Sequence, residues 1–116
     1  MKTASNQNVV TEQLSRLHAL IPHLTRAIKG LADENRLRIL LVLAGSRKSV
    51  GQIVEAVELS QPLVSHHLKG LKIGGLVQVR REGPFIFYEP AGPQIIDVLK
   101  SLADLIAEQR AADNAY

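Results

Sequence analysis

The densest gathering of side chains able to do chemistry lies between Ser60 and Arg81. That run has no Asp or Glu but holds Lys69, Lys72, Arg80 and Arg81, with His66 and His67 among them. The acids fall elsewhere, so one face of a balanced chain is left basic, as a polyanion-binding surface requires. Residue types sharpen this. The Gln61 amide can pair with an adenine edge, Ser65 with several bases, and Lys69 with guanine or phosphate. A charge run alone equally describes a solvated face, so its meaning depends on the elements that hold it.

Those elements can be read from apolar spacing. Val10, Leu14, Leu17, Leu20, Ile21, Leu24, Ile28 and Leu31 recur every three or four residues, predicting a helix to about Leu20 and another from Pro22 to Leu31. Asp33 is placed to cap a helix from Glu34 to about Ala44, which Gly45 ends. Ser49 can cap a short helix to Val57. Ser60 can cap another that begins Gln61-Pro62, where an early Pro is tolerated, and stops at Gly74-Gly75. The period then shortens to two. Leu76–Arg81 and Phe85–Tyr88 read as strands, with Glu82-Gly83-Pro84 the turn between them. A last helix opens after Gly92-Pro93 and runs to about Arg110.

Helix, short turn, helix and hairpin in that order predict a mainly α fold with a β-hairpin wing, a winged helix-turn-helix. Ile53, Val57 and Leu59 face Val64, Leu68 and Leu71 across the turn. The other face of the second helix presents Gln61, Pro62, Ser65, His66 and Lys69, a surface suited to the major groove of double-stranded DNA. Arg80 and Arg81 add wing contacts to flanking backbone or minor groove. His67 is expected at the edge of the core. Gly70, inside this helix, costs about 1 kcal/mol relative to Ala, which a close approach by a neighbouring helix would explain.

Length and composition bound the rest. One hundred and sixteen residues, 46% hydrophobic and 22% charged, fit one globular domain. It is expected over residues 9–110, with 1–8 disordered and 111–116 a flexible tail. The longest apolar run, Ile39–Ala44, is too short to span a bilayer, and the first residues lack the apolar stretch of a secretory signal. The expectation is a cytoplasmic protein with no membrane partner. Zero cysteines exclude disulfides, thiolate metal sites and cysteine nucleophiles. Neither a Ser-His-Asp set, nor paired carboxylates in an evident cleft, nor a glycine-rich phosphate loop is present, so an enzyme is not expected.

Three segments carry a family resemblance. Leu31–Leu40 resembles the LADxxRLRIL segment of the ArsR/SmtB family of bacterial transcriptional repressors. Leu59–Leu71 is similar to that family's recognition helix, and Gly75-Leu76-Val77, Arg80–Gly83 and Tyr88 to its wing. The resemblance implies a homodimer that packs through first and last helices, reads an inverted-repeat operator and is released by an effector. Leu14, Leu17, Leu24, Ile95, Leu99, Leu102 and Ile106 would form the interface. Their stripes exceed what one small domain covers, which points independently to association.

The family's usual metal ligands are missing. Its thiolate motif would fall on Ser49 and Gly51, and its last-helix site on Gly92, Gln94, Leu105 and Glu108, one oxygen ligand of four. No metal and no cofactor are therefore expected. His18 and His23, five apart across Pro22, could meet carboxylates of the last helix only in a site unlike the family's. The competing reading of the chain is a winged-helix module that binds a protein partner and has no operator of its own.

Overall fold

Three side-chain caps fix where the central helices begin. In the computed structural model, which describes the backbone of residues 2–114 and the side chains of 6–114, Asp33 Oδ1 accepts from the backbone N–H of Asn35 at 2.8 Å and of Arg36 at 3.1 Å. Ser49 and Gln52 form a reciprocal capping box. Ser60 Oγ accepts from Leu63 N–H at 3.3 Å. The described elements are α1 (Lys2–Ala19), α2 (Ile21–Leu31), α3 (Glu34–Gly45), α4 (Val50–Val57), α5 (Gln61–Ile73), β1 (Val77–Glu82), β2 (Phe85–Pro90) and α6 (Gln94–Asn114). This is the expected winged helix-turn-helix order.

The helix-turn-helix core is built from α3, α4 and α5. Ile39, Leu40, Leu43, Ile53, Val64, Leu68 and Leu71 are buried together, with Leu76 and Val77 closing one side at the base of the hairpin. Val57 and Leu59 pack against this cluster from the turn. Glu58 makes that turn possible by adopting a left-handed conformation, φ 57°, a strained choice for a residue with a side chain.

β1 and β2 pair antiparallel, Val77 opposite Pro90 through Glu82 opposite Phe85. The strands reach further than expected, so the turn is only Gly83-Pro84. Gly83 has φ +59°, as the first position of a tight hairpin turn of the II′ kind demands. One pairing escaped the sequence altogether. Lys48 N–H donates to Tyr88 O at 3.0 Å and Tyr88 N–H to Lys48 O at 2.8 Å. β2 is thus flanked on both sides, and β1 forms the outer edge.

Both ends depart from expectation. α1 begins at Lys2, because no Gly or Pro interrupts Lys2–Ala19, so the disorder expected over 1–8 is replaced by helix from Lys2; Met1 lies outside the described residues. α6 continues past Arg110 to Asn114 for the same reason, and only Ala115 and Tyr116 of the expected tail lie outside the described residues. No described residue of α1 or α6 is buried.

Candidate nucleic-acid interface

α5 divides cleanly into two faces. Val64, His67, Leu68 and Leu71 point into the core, while Gln61, Pro62, Ser65, His66 and Lys69 are all exposed. Lys72, which the sequence reading counted in the basic run but did not assign to the site, is exposed with them. Its spacing of three from Lys69 on a helix was the signal available. The free N–H groups at the start of α5 are fewer than a bare helix end would offer. Pro62 has none, Leu63 is bonded to Ser60 Oγ, and Val64 donates to Ser60 O at 3.0 Å. Attraction for phosphate at this end therefore falls mainly to the helix dipole, since Lys69 and Lys72 lie in the second half of the helix.

The wing separates its two arginines. Alternation puts Arg80 on one face of the hairpin with Gln78, Phe87 and Glu89, and Arg81 on the other with Val79, Ile86 and Tyr88. Arg80 Nε lies 2.8 Å from Glu89 Oε1, which also accepts from Gln78 Nε2 at 2.6 Å. The Arg80 bond, helped by Gln78, holds the Glu89 carboxyl below the ordinary glutamate range, and Glu89 in turn raises Arg80. On the same face Arg47 grips Glu82 with both guanidinium η-nitrogens, one contact at 2.7 Å, and lies 4.9 Å over the Phe87 ring. Arg81 has no ion pair among the described residues. Its face adjoins a shallow groove lined by Ser65, Leu68, Lys69, Lys72 and Tyr88. Lys72 and Tyr88 thus adjoin the exposed face of α5, Arg81 lies on the Tyr88 face of the hairpin, and Arg80 is engaged across it.

A further side chain behind α5 went unrecognised in the sequence. Arg36, in the first turn of α3, donates from Nε to His67 Nδ1 at 3.3 Å. Asp33 Oδ1 stands 3.8 Å from the same ring nitrogen. Hydrogen bonds from backbone N–H groups, that of Arg36 foremost, keep the Asp33 carboxyl below its usual range, with His67 and the Arg36 charge assisting. Gly70 is explained here: a Cβ at that position would sit 2.5 Å from Arg36 Cζ. A guanidinium, not a neighbouring helix, occupies the space.

Of the residues expected at a dimer interface, Leu14, Leu17, Leu24, Leu102 and Ile106 are exposed, Leu14 by 60%. Ile95 and Leu99 instead turn inward and pack against the core. Between α3 and α6 runs an apolar groove of about 380 Å³ that includes Leu37, Leu41, Ile96 and Leu102. The α3 members, Leu37 and Leu41, were not anticipated. Of the positions matched to metal ligands, Ser49 caps α4 and Gly51 lies in its first turn, while Gln94 opens α6 and Leu105 and Glu108 are exposed on it. His18 and His23 are exposed, and no three His, Asp or Glu side chains converge among the described residues.

Comparison with known proteins agrees with this geometry. The description "Bacterial regulatory protein, arsR family" matches residues 33–79, the span from the Asp33 cap through α5 into β1. The HTH-type transcriptional regulator Rv0324 of Mycobacterium tuberculosis is 36% identical over 89% of this chain, which spans only 45% of that relative's length. The transcriptional activator HlyU of Vibrio cholerae is 35% identical over 70% of this chain and 75% of its own. Among solved structures, the homodimeric winged helix-turn-helix DNA-binding domain of a possible ArsR-family regulator from Mycobacterium bovis superposes with a TM-score of 0.69 at 35% identity, covering 83% of this chain and 88% of that one. In sequence and in fold, this chain belongs to the ArsR family of winged helix-turn-helix transcriptional regulators.

Proposed function

We propose that the protein is a homodimeric, cytoplasmic regulator that occupies an inverted-repeat operator, represses by steric exclusion and leaves the DNA when an effector binds. The observation that carries this reading is the outer surface of α5. Gln61, Ser65, His66 and Lys69 are exposed and acid-free, on a helix whose opposite face is sealed into the core. Lys72, Tyr88 and Arg81 extend that surface toward flanking DNA. The exposed apolar stripes of α1, α2 and α6 would be covered by a second copy, since contiguous apolar surface of this kind marks interfaces. Two-fold symmetry would then set the two α5 helices about 34 Å apart, one turn of DNA. An effector acting near α1 or α6 works only through a difference in affinity between the DNA-bound and free conformations.

The test begins with the full chain and a random-sequence duplex library, followed by anisotropy titrations on the enriched duplex at several salt concentrations. Affinity is expected to fall steeply with salt as counterions are released. Gln61→Ala or Lys69→Ala should each weaken binding by about 1–3 kcal/mol. A flat salt response, or indifference to both substitutions, would favour a protein partner instead.

A further inference from the structure

Behind the reading surface, α5 rests on a seam of Val64, Leu68 and Leu71. Apolar contact has no preferred direction, so this seam holds the helix at a distance but specifies its rotation and slide only weakly. His67 is the one buried polar side chain in the region, 5% exposed. Among the described residues, the Arg36 bond to His67 is the only side-chain hydrogen bond that ties α5 to another element. It is directional, and it is keyed: the guanidinium occupies the notch left by Gly70, against three of its own atoms within 2.8 Å of where a Cβ would stand. Arg36 is in turn fixed at the start of α3, where Asp33 accepts from its backbone N–H. The next residue, His66, has its ring centroid 5.4 Å from that of His67 and is exposed on the reading face.

We infer that Arg36 is a positioning residue for DNA reading, setting through His67 and the Gly70 notch the angle at which Ser65, His66 and Lys69 leave the helix. Buried polar contacts of this kind fix register in an otherwise apolar seam. The inference rests on the operator-binding proposal above.

Gly70→Ala tests it without replacing either partner. The three atoms nearest the added methyl all belong to the far end of Arg36, a flexible group that can move aside, and Ala is the better helix former. Arg36→Gln is the second variant, should the first fold poorly. Each is titrated against the duplex enriched by the wild-type chain and against a shuffled duplex of equal length and composition, with thermal melts alongside. The expected result is an approximately tenfold loss on the enriched duplex, the size of one base contact, with the shuffled duplex unchanged and the Gly70→Ala melting temperature held or raised. An unchanged ratio between the two duplexes in both variants overturns the inference, as does equal loss on both, which would make Arg36 a phosphate contact or a stability residue. If the wild-type chain enriches no duplex, the operator proposal fails first and takes this one with it.

Discussion

α5 and the wing are each fastened to α3 by one arginine, at opposite ends, and the two fastenings differ in kind. Arg36 lies in the first turn of α3, half-buried, against a helix whose rear face is wholly inside the core. Arg47 lies just past the last turn, exposed, and holds Glu82 and the Phe87 ring on a hairpin whose outer half is open to water. An exposed ion pair contributes at most about 1 kcal/mol and weakens with salt. A polar bond inside an apolar seam contributes little net stability but narrows the number of arrangements the seam accepts. On the positioning role proposed for Arg36, α5 is held in a single orientation, while the outer half of the wing is held by an exposed tether.

The largest effect that separates the two regions is on stability. Leu71→Ala, in the seam behind α5, should cost about 2–5 kcal/mol in chemical denaturation. Phe85→Ala on the wing, 64% exposed, should stay within about 0.5 kcal/mol. Comparable losses would mean that the wing belongs to the same cooperative unit as the core.

Next in size is the division within the wing. Arg81→Ala should weaken DNA binding and reduce the slope of log affinity against log salt by about 0.9, one phosphate contact. Arg80→Ala should change that slope less, because its charge is already met by Glu89. Equal slopes would place both arginines on DNA.

The smallest effects concern the tethers. Arg47→Ala should lower stability by no more than about 1 kcal/mol, and by less at high salt. Glu89 has a carboxyl depressed in the folded state, so its pairing with Arg80 is complete above the unfolded glutamate value and lost as pH falls through the folded one. Carboxyl NMR shifts of Glu89 should thus stay constant from neutral pH down to about 5 and titrate only below the ordinary range. Titration at or above that range would show that Arg80 is free.

What the sequence disclosed was local chemistry. The caps at Asp33, Ser49 and Ser60 could be read because each acts within three residues of itself. The buried set Val64, Leu68 and Leu71 was legible from helical spacing, and the outward set on α5 followed as its complement. The separation of Arg80 from Arg81 was legible in principle, since neighbours on a strand face opposite ways. Arg36 with His67 and Gly70 was not legible. The contact joins positions more than thirty residues apart, and the only local trace was a glycine in a helix where alanine would be better. Likewise Lys48 beside Tyr88 is a single bridge with no pattern of its own.

The open flank of β1 bears on how these molecules meet one another. Its N–H and C=O groups would welcome a strand from another chain, yet the strand carries Arg80, Arg81 and Glu82 in succession. Crowded charges along a bare sheet margin discourage such annealing. Stacking through the hairpins is thereby disfavoured, which suits the proposed meeting of two copies through the greasy helical arms at either end.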